Sequence, residues 1–109
     1  MALYIVATPI GNLADMTYRA VIVLKEADLI CAEDTRTSKK LLDHYGIETP
    51  VTAYHDFNKE RVTPNLLQSL KDGASLALIS DAGTPVLSDP GYVLVRAAID
   101  AGIRVCSVP

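Results

Sequence analysis

The chain has 109 residues, a length that fits one domain, since domains usually run to about 100–200 residues. Half of its residues are apolar and 21% are charged, which supplies enough apolar surface for a packed core and excludes intrinsic disorder. Ten Lys and Arg against thirteen Asp and Glu leave a net charge of −3, which excludes a polyanion binder held by a broad basic surface, so any nucleic-acid contact has to be local.

The run from Leu3 to Ala7 is apolar throughout, the pattern of a strand covered on both faces. It lacks the basic flank of a signal peptide, and no apolar run approaches the roughly 20 residues needed to cross a bilayer. A cytoplasmic protein with no membrane contact is expected. Thr8-Pro9-Ile10-Gly11-Asn12 comes next as turn chemistry. Asp15 or Thr17 can cap a helix running to about Ala27, with Ala20, Val21, Leu24 and Ala27 on one face, although Val21-Ile22-Val23 is also strand-like. Asp28 to Ala32 reads as a second strand, and Glu33-Asp34-Thr35 as the start of a helix whose apolar positions are Leu41, Leu42 and Tyr45. His44, in its last turn, is favoured by the helix dipole. Val51 to Tyr54 reads as a strand, about Glu60 to Asp72 as a helix, Ser75 to Ile79 as a strand, about Gly91 to Ala101 as the last helix and Arg104 to Val108 as the last strand. Gly46, Gly73 and Gly102 each follow a helix and precede a strand, as left-handed helix stops do. Cys31 and Cys106 lie in strand-like runs without a partner at metal-ligand spacing, and read as small core hydrophobes.

Helix, glycine and strand in that order, three times over, is the signature of βα units. The expected fold class is α/β, a five-stranded parallel sheet flanked by four helices. Such a sheet binds its ligand outside the carboxyl ends of its strands. Chemistry is therefore expected in the loops Thr8 to Asp15, Glu33 to Arg36, His55 to Lys59 and Ser80 to Gly91.

The last of these, Ser80-Asp81-Ala82-Gly83-Thr84-Pro85-Val86-Leu87-Ser88-Asp89-Pro90-Gly91, is twelve residues long and rich in Gly, Pro and Asp. Small residues let a ligand touch the backbone directly, while prolines reduce the entropy of ordering the loop. Asp89 reads as a cap for the last helix. The first loop lacks the G-x-G-x-x-G of dinucleotide binders, so NAD and FAD are disfavoured, and no Walker-type phosphate loop occurs. Glu33 and Asp34 either cap a helix or orient a substrate hydroxyl. Arg36, Lys39 and Lys40 share one helical face, either a solvated one or a contact for RNA phosphates. His55 can serve as a base or a phosphate contact. Phe57 either stacks on a nucleobase or is buried against the sheet edge. No set of His, Cys, Asp and Glu has zinc spacing, so no metal is expected, and no nucleophile elbow appears.

At Tyr4-Ile5-Val6-Ala7-Thr8-Pro9-Ile10-Gly11-Asn12-Leu13, Ala32-Glu33-Asp34-Thr35-Arg36, Tyr54-His55 and Ser80 to Gly91 followed by Tyr92-Val93-Leu94-Val95-Arg96, the sequence resembles a known family. It is that of the small-subunit ribosomal RNA ribose 2′-O-methyltransferase I proteins, within the tetrapyrrole-methylase superfamily, and the likeness covers essentially the whole chain. The resemblance implies the N-terminal domain of a class III (tetrapyrrole methylase-like) methyltransferase. S-adenosylmethionine (SAM) would be the methyl donor, and a cytidine 2′-hydroxyl in 16S rRNA of the small ribosomal subunit the acceptor. It also implies a homodimer of two-domain subunits with SAM in the cleft between the domains. Residues 1–109 would be the first domain; the family's Gly-Pro-Ser-Ala segment and second α/β domain are absent from this chain.

By position, Pro9 and Ala82, Gly83, Thr84, Pro85, Val86 and Leu87 match the superfamily's donor-contacting loops. For the proton of the ribose hydroxyl, a weak acid, the candidates are Asp34 and Asp81, with Glu33 and His55 behind them. Two other readings stay open: a methyltransferase acting on a tetrapyrrole or another small molecule, and a non-catalytic RNA-binding fragment.

Overall fold

The computed structural model describes residues 2–8, 15–80 and 89–108. Nine elements alternate along it: β1 (Ala2–Ala7), α1 (Tyr18–Glu26), β2 (Leu29–Ala32), α2 (Thr35–His44), β3 (Val51–Ala53), α3 (Lys59–Lys71), β4 (Ser75–Ser80), α4 (Asp89–Asp100) and β5 (Val105–Val108). All strand pairings are parallel, in the order β3-β2-β4-β1-β5. The five strands and four helices expected from the sequence are thus present.

The order explains how the helices divide. From β1 through β2 to β3 the chain moves toward one edge of the sheet, and from β3 through β4 to β5 it moves toward the other. Right-handed crossovers place the helices of those two legs on opposite faces. Side-chain alternation agrees with this. Leu3, Ile5, Cys31, Leu76 and Leu78 join Leu66 and Leu70 of α3 and Leu94, Val95 and Ala98 of α4 in one core. The intervening Val6, Ile30, Ala32, Ala77 and Ile79 join Ala20 and Leu24 of α1 and Leu42 of α2 in the other. Covered on both faces, the central strands are apolar between their end residues.

Local chemistry sets the ends of the helices. Thr17 caps α1 by accepting from the Ala20 N–H at 3.1 Å. With Ala20 and Leu24 facing the core, the β-branched Val21-Ile22-Val23 stretch is helical and not a strand. Gly46 has φ +67°. Its N–H and that of Ile47 reach back to Asp43 and Leu42 (3.2 and 2.9 Å), which closes α2 with a Schellman motif. Gly73 and Gly102 end α3 and α4 in the same way, also at positive φ. α4 begins at Asp89, two residues before the expected start. Proline is tolerated in a first helical turn, where its missing N–H has no partner to lose, so Pro90 does not delay the helix. The connection from β4 to α4 accordingly spans residues 81–88.

Cys31 is fully buried and desolvation pushes its thiol up to about 12, which keeps it an inert core residue. Cys106, on the edge strand β5, is only half-buried.

Candidate active site

Strand register aligns the carboxyl edge. Ala53, Ala32, Ile79, Val6 and Val108 form one row across the sheet through successive pairings. β2, β3 and β5 end on that row, and β1 and β4 run one residue further, to the pair Ala7 and Ser80. β2 leads outward toward β3, while its neighbour β4 leads the other way toward β5. The topology therefore reverses between β2 and β4, the position at which sheets of this kind bind ligands, with the end of β1 on the far side of β4. Three connections start from these ends: the one after β1, the Glu33-Asp34 turn after β2, and residues 81–88 after β4.

Of the residues expected to act here, Pro9, Asp81, Ala82, Gly83, Thr84, Pro85, Val86 and Leu87 lie outside the described ones, as does the side chain of Asp89. Glu33 and Asp34 lie at the end of β2 and both are exposed. Asp34 is the N-cap of α2. Its Oδ1 accepts from the backbone N–H groups of Arg36 (3.0 Å) and Thr37 (3.3 Å), and its Oδ2 accepts from the Thr37 hydroxyl (3.1 Å). The Thr37 backbone bond, the Thr37 hydroxyl and then Arg36 hold its carboxyl below the ordinary range. It stays ionised, and it is a weaker proton acceptor for that reason.

Arg36 and Lys39 project from α2 into a groove of about 640 Å³ that Leu42, Ile47, Thr49, Pro50 and Val51 also line. The connection from α2 to β3 forms its far wall, tied down by Thr49, whose hydroxyl donates to the Leu24 carbonyl at 2.7 Å. Asp43 and Glu48 line the groove too, and Lys39 lies 3.9 Å from Asp43. That pair is exposed and adds little to stability. Lys40 is exposed on α2 but does not line the groove. Ser38, facing inward one turn before Leu42, has a buried hydroxyl with no hydrogen-bond partner.

The turn after β3 stands next to the Glu33-Asp34 turn, joined to β2 by the bond from the Tyr54 N–H to the Ala32 carbonyl (2.8 Å). His55 is half-buried and its Nδ1 accepts from the Phe57 N–H at 3.2 Å. Asn58, which no sequence motif marks as functional, closes the turn. It accepts from the His55 N–H (2.8 Å) and donates to the Ala53 carbonyl (2.9 Å). An Asn just before a helix reads as an N-cap, and nothing local indicates that its side chain points backward. Phe57 is exposed and not packed on the sheet edge. Beneath the turn the Tyr54 hydroxyl meets Thr63 Oγ1 at 2.7 Å, and burial raises the Tyr54 phenol above its ordinary range.

Among the described residues no three His, Cys, Asp or Glu side chains gather as a metal site would, and no helix is long and apolar enough to cross a membrane.

A doubly wound parallel sheet with carboxylates at its carboxyl edge defines an α/β domain of the ligand-binding kind. The chain belongs to the family of Tetrapyrrole (Corrin/Porphyrin) Methylases, which it matches over residues 2–109. It is 59% identical over 108 residues to the Ribosomal RNA small subunit methyltransferase I of Mesorhizobium japonicum, covering 99% of this chain and 37% of that protein. With the proteins of that name from Halalkalibacterium halodurans and Escherichia coli O157:H7 the identities are 56% and 55%, each over 98% of this chain and 37% of the relative. The chain therefore spans little more than a third of these relatives.

Among solved structures, the uroporphyrin III C-methyltransferase of Thermus thermophilus superposes with a TM-score of 0.73 at 19% identity, over 100% of this chain and 48% of that one. A diphthine synthase superposes with the same score at 14% identity, over 98% and 43%. These two likenesses concern the fold.

Proposed function

We propose that the chain is the N-terminal domain of a SAM-dependent methyltransferase that modifies the ribose 2′-hydroxyl of a cytidine in 16S rRNA. In this reading the complete protein works as a cytoplasmic homodimer, and a second domain closes over the carboxyl edge of the sheet. The observation that carries the reading is the 59% identity, over nearly the whole chain, to a relative named for small-subunit ribosomal RNA. The groove lined by Arg36 and Lys39 supports it, because the phosphates of an RNA backbone need local cations.

The rim chemistry suits the donor. SAM carries a sulfonium and an ammonium, both cations, and Glu33 together with an Asp34 held ionised places two carboxylates at that edge. When bound, SAM supplies a methyl group activated by the sulfonium for in-line displacement. Rate then depends on holding the acceptor oxygen in line with that methyl group and excluding water. Asp34 serves this by fixing the first turn of α2, and with it Arg36. Its lowered basicity leaves the proton of the ribose hydroxyl to Glu33 or to Asp81, which directly follows Ser80 in the chain. The loops containing Pro9 and Ala82 to Leu87 are assigned to the donor, through their backbone.

The test is methylation of 16S rRNA or small subunits by the complete protein with labelled SAM, followed by alkaline hydrolysis. A 2′-O-methyl group blocks cleavage at its own nucleotide, so label in an alkali-resistant cytidine dinucleotide is the expected result. SAM binding without any labelling of RNA would overturn the reading, and labelling of a tetrapyrrole instead would favour the small-molecule acceptor. The 109 residues alone, with one wall of the cleft, are expected to show no turnover.

A further inference from the structure

The β3–α3 turn carries a feature that the chemistry above leaves unused. Phe57, the sole phenylalanine of the chain, is 98% exposed. An isolated exposed apolar side chain is ordinary, but the construction around this one is not loose. Asn58 bonds both to the His55 N–H and to the Ala53 carbonyl, the His55 carbonyl accepts from Asn58 and Lys59, and the Phe57 N–H is held by His55 Nδ1. The His55 imidazole stands edge-on to the phenyl ring, with centroids 6.0 Å apart and planes at 65°. The Lys59 ammonium is taken up by Asp56 at 3.3 Å, so the turn brings no net cation to attract a phosphate. What it offers is one preorganised ring face at the carboxyl edge of the sheet, next to the turn that leads to Arg36.

We propose that Phe57 is a stacking platform for an unpaired base of the RNA substrate, with His55 fixing its orientation. The inference rests on the reading that the acceptor is RNA. A single rigid ring in a polar turn suits a flat base better than a protein partner, whose contact needs a contiguous apolar patch. The other exposed large apolar side chains among the described residues, Tyr18, Tyr92 and Ile99, sit on α1 and α4 and not on this turn. RNA is read mainly through splayed, unstacked bases. A ribose presented for methylation has such a base beside it, and an aromatic platform would hold the strand open there.

The complete protein is compared with its Phe57→Ala, Phe57→Leu and Phe57→Tyr variants for RNA dissociation constant, SAM dissociation constant, melting temperature and steady-state kinetics on 16S rRNA. Stacking of this kind predicts that Ala and Leu weaken RNA binding by about 5- to 150-fold and raise KM for RNA. Tyr should stay within about threefold of the parent, with SAM affinity and melting temperature unchanged throughout. RNA binding by the Ala variant as tight as by the parent overturns the platform while leaving the RNA reading intact. Leu performing as well as Tyr also overturns it, because the ring would then be plain apolar cover for another part of the protein. If the parent binds SAM but neither binds nor methylates RNA, the functional reading fails, and the platform with it.

Discussion

The turns that follow β2 and β3 are neighbours at one edge of one sheet and do the same mechanical job, yet they leave different groups for a ligand. After β2 the chain takes only Glu33 and Asp34 to reach α2, and both oxygens of Asp34 go into closing that helix. After β3 it takes residues 54–58, and Asn58 spends its side chain inside the turn, so α3 has no side-chain cap at all. The short turn presents charge, Glu33 and Arg36, on a capped helix. The longer one presents a hydrocarbon ring on a hydrogen-bonded scaffold. Where backbone groups must be satisfied within two residues, polar side chains are consumed by the backbone. Three more residues allow the turn to satisfy itself and to display something else.

Variants separate the two turns from each other and from the sheet beneath them. Leu70→Ala, in the core under α3, should cost about 2–5 kcal/mol by chemical denaturation, the reference against which changes at the edge are judged. Tyr54→Phe leaves the buried Thr63 hydroxyl without its partner and should cost about 1–3 kcal/mol, which would show that the longer turn is anchored from below. Asn58→Ala removes two bonds and should cost about 1 kcal/mol; if the turn serves to display Phe57, it should also weaken RNA binding as Phe57→Leu does.

Arg36→Ala with Lys39→Ala should leave stability and SAM affinity alone and reduce the slope of log K against log salt for RNA by about 1 to 2. An unchanged slope would remove the phosphate role of the short turn. The smallest effect on stability is expected of Asp34→Asn, since Asn also caps well. Its carboxyl is lowered in the folded chain, so the charge stabilises above the unfolded value of about 3.9 and loses that contribution as pH falls through the folded value. The difference in melting temperature between parent and variant should therefore shrink below about pH 4.

Much of this architecture is legible in the residues themselves. The three glycines mark three helix ends because a left-handed residue after a helix is a local demand that only a few side chains meet. Asp34 as a cap is equally local. The helical state of Val21-Ile22-Val23 is not, because β-branched residues favour a strand and only burial of Ala20 and Leu24 against the sheet settles the matter. Nor is the role of Asn58, whose partners are the carbonyl of Ala53 and the N–H of His55 on the strand side of the turn.

Which segments become strands and helices, Val21-Ile22-Val23 apart, and where most of them stop were settled by residue order, through forces acting over a few positions. The assembled fold added two things: the insertion of β4 between β1 and β2, and the exposure of Phe57 to solvent. Strand order is a contest among long-range pairings, and the exposure of a ring depends on what the rest of the chain packs against it. Neither is written in any short stretch of residues.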